Sequence, residues 1–191
     1  MKVKINKSIS LDKFIDNSLY NKTSGYYMKK NPFGKKGDFI TAPNISILFS
    51  EMISIWSISL WKKLKKPKKI NIVELGAGNG EMMLNIIKTS NQFLFFKNAC
   101  NFFIFEKSPY LKKIQKEKLK NYKVRWLKKI IKVNNSPTIF IGNEFFDSLP
   151  IKQFTKKNGI WFERHIDTSS KKEKFLEKKI NVKKFEKKIG I

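Results

Sequence analysis

The chain reads as an α/β protein, a parallel sheet with helices on both faces. Three observations carry that reading. Ile70 to Leu75, Phe102 to Phe105 and Thr138 to Gly142 are short, continuous apolar runs, the pattern of strands buried on both faces. Helix-like segments separate these runs, and strand–helix repetition implies parallel pairing, with ligands at the carboxyl ends of the strands. The third is the run from Ile70 to Gly80. There an apolar strand reaches an acidic residue and turns through glycines at 76, 78 and 80 straight into a helical pattern.

The elements follow in order. Leu11 to Leu19 is a short helical segment, followed by Gly25-Tyr26-Tyr27-Met28 and a loop containing Pro32, Gly34 and Gly37. Thr41 can cap a helix whose first turn holds Pro43, where the missing N–H costs little. From Ile45 to Leu64, apolar residues (Ile45, Leu48, Phe49, Met52, Ile53, Trp56, Leu60, Trp61, Leu64) recur at helical spacing, and this helix is expected to pack on the sheet. A lysine-rich turn, Lys62 to Lys69, leads to the first strand. A helix over about Glu81 to Thr89 follows the glycines. The second strand ends at Glu106, and Ser108-Pro109 start a helix to about Leu119. Val124 to Leu127 is a third strand and Thr138 to Gly142 a fourth. Gln153 to Lys156 and Gly159 to His165, split by Lys157-Asn158, form a hairpin. The lysine-rich tail from Lys171 reads as weakly helical and solvated. The segments group as 1–69, helical and loop; 70–150, the sheet core; and 151–191, hairpin and tail.

Composition sets the bounds. At 191 residues, 41% hydrophobic and 14% aromatic, the chain is one domain's worth and can bury a core. The formal charge is +26, from 41 basic against 15 acidic residues, which by itself suggests a nucleic-acid or anionic surface. Arg125 and Arg164 are the only arginines, however, so the planar fork that reads guanine edges is nearly missing. Abundant Lys, Asn and Ile match the drift of an AT-rich genome, and no specific nucleic acid is expected as a partner. Cys100 is the sole cysteine, which rules out an intrachain disulfide and fits a reducing compartment. His165 is the sole histidine, which argues against a histidine metal cluster and a Ser/His triad, so no metal is expected. The start of the chain lacks a secretion signal, and no membrane span is expected.

The glycine spacing selects the ligand. A dinucleotide fingerprint would need glycine where Glu81 stands, and a phosphate loop would need a Lys-Ser/Thr pair. Glu74-x-Gly76-x-Gly78-x-Gly80 instead resembles the first motif of the S-adenosylmethionine (SAM)-dependent methyltransferases with a Rossmann-like sheet. SAM carries a sulfonium and an ammonium, so a cleft in a basic chain needs local negative charge. Glu74, Glu106, Glu144 and Asp147 all fall at or just past strand carboxyl ends. Glu74 is expected at the methionine-side amine, Glu106 at the ribose hydroxyls, and Gly76, Ala77, Gly78, Gly80 and Asn143 around the cofactor. Asn143 to Asp147 follow the fourth strand, which is expected beside the first and can face the transferable methyl. Turn capping by Asn143 and Asp147 and core filling by Phe145 and Phe146 is the alternative.

Gly25-Tyr-Tyr-Met, Phe33-Gly-Lys-Lys-Gly-Asp-Phe-Ile-Thr-Ala-Pro43, Val73-Glu-Leu-Gly-Ala-Gly, Glu106-x-Ser-Pro-x-Leu111, Asn143-Glu-Phe-Phe-Asp-Ser-Leu-Pro-Ile151 and Gly159-Ile-Trp-Phe-Glu-Arg164 together resemble the MidA family. This is the mitochondrial complex I assembly factor type of protein arginine methyltransferase. The resemblance implies a Rossmann-like class I methyltransferase that uses SAM, with a complex I subunit as protein substrate. It implies a cofactor or substrate cover at Gly37 to Thr41, which places Asp38 and Thr41 in the site. It also makes Glu144 the carboxylate that aims an acceptor guanidinium, with Asp147 as second candidate, since methyl transfer is mainly in-line positioning. The expected compartment is the cytoplasm of a bacterium or the mitochondrial matrix of a eukaryote. Asn44 replaces the family's usual glutamate, and Ala77 and Asn79 its usual proline and arginine; Ile47 and Ser50 stand where glutamine and glycine are common. The pattern stops three strands short of a complete methyltransferase sheet, so a fragment or truncated member is expected. The alternative function is a catalytically inactive assembly or binding factor that keeps the half-cleft.

Overall fold

In the computed structural model, which describes residues 8–34, 37–130, 133, 135–169 and 174–181, β1 (Ser8–Ser10) runs straight into α1 (Leu11–Tyr20). Two short helices follow, α2 (Tyr26–Lys29) and α3 (Ala42–Ile45), and then the long α4 (Ile47–Lys63). The next stretch alternates: β2 (Ile70–Leu75), α5 (Glu81–Ser90), α6 (Leu94–Ala99), β3 (Cys100–Phe105), α7 (Pro109–Lys118), β4 (Val124–Leu127) and β5 (Thr138–Ile141). After one 3-10 turn, Phe146–Ser148, come β6 (Phe154–Lys157), β7 (Ile160–Asp167) and β8 (Lys174–Lys179). Contacts divide the described residues into two units, Tyr26–Asp147, and Met1–Gly25 with Ser148–Ile191. These cuts differ from the composition boundaries at 69/70 and 150/151.

The unit Tyr26–Asp147 holds a parallel sheet of order β4-β3-β2-β5, as the strand–helix repetition requires. Glu74 lies level with Ile104 on one side and Ile141 on the other, so the expected adjacency of the first and fourth strands holds. Buried Asn71 sets this register from the opposite end. Its Nδ2 donates to Thr138 Oγ1 at 3.1 Å, and its Oδ1 accepts from Asn101 Nδ2 at 3.2 Å. A slipped register would strand these amides in the core.

Alternate strand residues feed two clusters. Ile70, Ile72, Phe102, Ile104, Ile139 and Ile141 pack with residues of α4, α5 and α6 on one face. Val73, Leu75, Phe103 and Leu127 form the other cluster, covered by Phe105, Ile130, Val133 and Phe145. Ile130 and Val133, which lie between β4 and β5, thus cover this second face, where Phe140 is half exposed; among the described residues no helix packs into that cluster.

α4 departs from the expected face. Phe49, Ile53, Leu60 and Trp61 do pack on the core, but Ile45, Leu48, Met52, Trp56 and Leu64 are exposed. What lies inside instead is a row of serines, Ser50, Ser54 and Ser57, each fully buried. The physical reason is distance: small side chains let α4 approach its partner α5, and Ser54 Oγ meets Ser90 Oγ at 3.1 Å and the Ile86 carbonyl at 3.3 Å. The helix start also differs, since Ser46 (φ −142°) breaks α3 from α4 and caps the latter by accepting from Leu48 N at 3.2 Å.

In the unit Met1–Gly25 with Ser148–Ile191, β7 is the centre of an antiparallel sheet, pairing with β1, β6 and β8. The expected hairpin is present, with its turn one residue later, at Asn158 (φ 46°) and Gly159 (φ 75°), the left-handed pair that a two-residue hairpin loop demands. The tail expectation is corrected: Lys174–Lys179 is a strand on β7, because pairing with an available edge overrides its weak helical pattern. Residues 182–191 lie outside the described set.

Candidate active site

The glycine loop leaves β2 with its pairing intact, Gly76 N donating to the Phe105 carbonyl at 2.8 Å. Gly76, Gly78 and Gly80 then take φ of 66°, 52° and 79°, conformations that side chains with a Cβ rarely adopt. Gly80 N closes the turn on the Ala77 carbonyl at 2.7 Å, and Asn79 Oδ1 accepts from Glu81 N at 3.2 Å at the first turn of α5. Ala77 points its methyl into the core, so only its backbone belongs to the loop surface. Two aromatic rings rest on that surface. A Cβ on Gly76 would come within 2.7 Å of the Phe145 ring, and one on Gly78 within 3.2 Å of the Phe33 ring.

Beneath the loop lie two buried carboxylates. Glu74 is 2% exposed, and its Oε2 has no hydrogen-bond partner. Burial, with the Glu106 charge adding to it, pushes its pKa up to about 8, while the Met83 amide opposes the shift. Glu106 is buried as well, and burial raises its pKa. Its Oε1 accepts from Ser108 N at 2.9 Å and its Oε2 from Gln115 Nε2 at 3.1 Å. Gln115, which the sequence reading passed over, is fully buried and also donates to the Gly78 carbonyl at 2.9 Å. Its signal was available: Leu111 and Gln115 are the buried i, i+4 pair of α7, and an amide on an apolar stripe needs partners.

The segment from Tyr26 to Ser46 packs against both elements. Ser108 Oγ donates to the Tyr27 carbonyl at 2.6 Å, and Phe33 lies parallel to Tyr27 with centroids 6.1 Å apart. Asp38, expected in the site, is exposed and held by Tyr26 Oη and Lys30 Nζ. Lys30 and then Tyr26 lower its pKa, while burial and Asp38 push the Tyr26 phenol up to about 12. Thr41 is buried at the start of α3 but makes no side-chain cap; its Oγ1 accepts from Asn44 Nδ2 at 2.9 Å. Asn44 Oδ1 accepts in turn from Asn79 Nδ2 at 2.7 Å, tying this segment to the glycine loop. The two amides border a cavity of about 380 Å³, which Ile45, Ser46, Ile47, Glu81 and Asn85 also line.

The turn after β5 meets the glycine loop through Phe145, whose ring covers Gly76 and packs with Val73 and Leu75. Asn143 is half-buried, and Glu144 and Asp147 are exposed. Glu144 has φ of 52°, an outlier for a side chain of its size. The structure thus brings Glu74, Glu106 and the three glycines together and sets the Asn143–Asp147 turn against their loop through Phe145; Asp38 is engaged elsewhere. Among the described residues no three of His, Cys, Asp and Glu cluster to hold a metal ion.

Residues 52–189 match the model of a family described as putative S-adenosyl-L-methionine-dependent methyltransferases. The chain belongs to this family. The protein arginine methyltransferase NDUFAF7 of Xenopus laevis, a mitochondrial protein, is 32% identical over 89% of the chain and 44% of its own length. Its Drosophila melanogaster homologue is 31% identical over 85% of the chain and 42% of its length. The chain therefore spans less than half the length of these relatives, and the MidA resemblance of its motifs holds over nearly all of it. A Burkholderia thailandensis protein crystallised with S-adenosyl-homocysteine superposes with a TM-score of 0.77 at 22% identity, covering 96% of the chain and 49% of that protein. A native crystal structure of a protein from the same organism gives 0.72 at 21%. At such identities the likeness is one of fold, and it bears out the α/β class.

Proposed function

We propose that the chain binds SAM at the glycine loop and serves a methyltransferase that modifies arginine on a protein. The observation that carries this reading is Glu74 Oε2, a buried carboxylate oxygen without a partner under a loop of left-handed glycines. An ionised carboxylate there is costly unless a cation meets it, and the ammonium end of SAM supplies one. Glu106, at the end of the neighbouring strand, accepts from Ser108 N, Gln115 Nε2 and the Lys107 amide, and a carboxylate with about four lone-pair sites keeps acceptor capacity for ribose hydroxyls. When bound, SAM supplies an electrophilic methyl group on a sulfonium. This chain's part is to hold the cofactor with Gly76, Ala77, Gly78, Gly80 and Asn143 and to leave Glu144 and Asp147 exposed on the adjoining turn to orient an acceptor guanidinium. Thr41 acts through Asn44 and the loop, and Asp38 through the segment it pins. The names of the relatives support arginine in a protein as acceptor and a mitochondrial setting in eukaryotes, and the MidA resemblance adds a respiratory complex I subunit as the target and the matrix, or in a bacterium the cytoplasm, as the compartment. No described helix is long and apolar enough to cross a membrane.

Calorimetric titration of S-adenosyl-homocysteine into the chain and into Glu74→Gln tests the binding, and transfer of labelled methyl from SAM to arginine peptides tests the chemistry. Equal affinity in both proteins would remove Glu74 from the site. Binding without transfer would favour the second reading, a noncatalytic assembly factor that keeps the half-cleft.

A further inference from the structure

We infer that Gln115 is the positioning residue that holds the glycine loop and Glu106 in one fixed relation, so that both ends of a bound cofactor nucleoside are met at once. The inference rests on the proposed SAM site. Gln115 sits on α7, outside both the loop and the strand ends, yet it touches each of them. Its Nε2 donates to the Gly78 carbonyl at 2.9 Å and to Glu106 Oε2 at 3.1 Å. Its Oε1 accepts from Trp126 Nε1 at 2.9 Å. That last bond decides which way the amide faces. Trp126 can only donate, so it fixes the carbonyl end of Gln115 toward β4 and turns the –NH₂ toward two acceptors, both of which need a donor. The stem runs beside Gly80, where an added Cβ would lie 3.5 Å from Gln115 Cγ. The side chain is fully buried, so no water competes for these bonds.

Two acceptors sharing one amide nitrogen are drawn together, and the Glu106 carboxylate cannot swing away from the loop without breaking a charge-assisted bond. The same contact keeps the Gly78 peptide from rotating, and rotation there would turn its N–H and C=O relative to any ligand on the loop. Loss of the donor therefore frees the Glu106 carboxylate and the Gly78 peptide to move and weakens ligand binding, although both residues are still present. Gln115→Glu keeps the shape but sets a carboxylate against a carboxylate and a carbonyl; Gln115→Met keeps the volume and removes every polar atom.

The test is titration of S-adenosyl-homocysteine into wild type, Gln115→Met, Gln115→Glu, Glu106→Gln and the Gln115→Met/Glu106→Gln double variant, with thermal melts alongside. We expect Gln115→Met to lower affinity on the order of tenfold or more and Gln115→Glu to lower it further. We also expect the double variant to lose clearly less than the product of its two single effects, because Gln115 acts through Glu106. Trp126→Phe, which keeps a ring and removes only the N–H, should bind several-fold more weakly without lowering the melt by more than a few degrees. That variant keeps the inference testable if Gln115→Met does not fold. Wild-type affinity in Gln115→Met or in Trp126→Phe, or full additivity in the double variant, overturns the positioning role and leaves the SAM site standing. Failure of the wild type to bind S-adenosyl-homocysteine overturns the site and this inference together.

Discussion

Glu74 is the residue whose chemistry the rest of the site has to accommodate. Its carboxyl ionises near pH 8 in the folded chain against an ordinary value of 4.5. Between those values the folded chain holds a proton that the unfolded chain has released, so stability is highest at the acidic end and falls as pH rises, levelling off above about 8. The total is on the order of a few kcal/mol, and the upward shift of Glu106 acts in the same direction. Glu74→Gln removes this slope and makes the ligand-free chain more stable at pH 8, which urea unfolding at pH 6 and pH 8 would reveal. An unchanged slope would mean that the carboxyl reaches water. Binding of a cation runs the other way. SAM affinity should climb between pH 6 and pH 8 as Glu74 ionises, and the climb should be largely lost in Glu74→Gln. The left-handed glycines give a second expectation. Gly78→Ala carries a φ of 52° and meets the Phe33 ring at 3.2 Å, so it should cost about 1–2 kcal/mol in melts and disturb binding as well.

At the scale of elements, what could be read in the sequence divides by the range of the interactions involved. α5 and α7 lie within a residue or two of expectation because their starts are local chemistry: Gly80 turns into α5, and Ser108 Oγ caps α7 from Leu111 N at 3.2 Å. β1 and β8 were missed since each owes its existence to β7, far along the chain, and a three-residue strand has no period to detect. α6 is similarly short. α4 is legible as a helix, but only part of its expected face lies inward, because apolar residues encircle much of it and the closeness of α5 selects the serines. The serines then make opposite predictions. Ser54 Oγ has two partners and Ser50 Oγ has none, though both are fully buried. Ser54→Ala should lose about 1 kcal/mol and Ser54→Leu more, by forcing α4 from α5, whereas Ser50→Ala should gain about 1 kcal/mol. Urea melts of the three variants would sort them, and a loss in Ser50→Ala would mean its hydroxyl has a partner. Two of the departures from the family pattern also prove to be one feature. Asn44 and Asn79, standing where the family resemblance implies a glutamate and an arginine, hydrogen-bond to each other at 2.7 Å, so an amide pair stands where the resemblance implies two opposite charges. Glutamate at 44 alone should therefore disturb the loop less when arginine is restored at 79.

At the scale of the whole molecule, the charge of +26 is the property that most needs a physical reading. The expectation of indifference to nucleic-acid sequence rests on there being only two arginines in the chain, and each of them lies against an aromatic ring. Arg164 donates to Gln153 Oε1 at 2.9 Å and lies 5.0 Å from the Phe175 ring, and Arg125 stacks 5.8 Å from the Phe103 ring. The charged groups are unevenly placed as well: Glu74 and Glu106 are buried beneath the glycine loop, while Lys62, Lys63, Lys65, Lys66, Lys68 and Lys69 stand exposed from the last turn of α4 onward. Polyanions thus meet almost entirely lysines, and counterion release is the main driving force available to them. A contact that neutralises about six phosphates should lose on the order of a thousandfold in affinity between roughly 50 and 200 mM salt. Fluorescence anisotropy with two unrelated RNA oligomers of equal length, across that salt range, would show parallel steep lines and near-zero binding at the upper end. A single oligomer held tightly at the higher salt would require a base-reading surface, and the charge would then be a recognition device and not a compositional drift. Added S-adenosyl-homocysteine discriminates further: because the lysine surface and the buried carboxylates are separate features, saturating ligand should leave the RNA lines where they were.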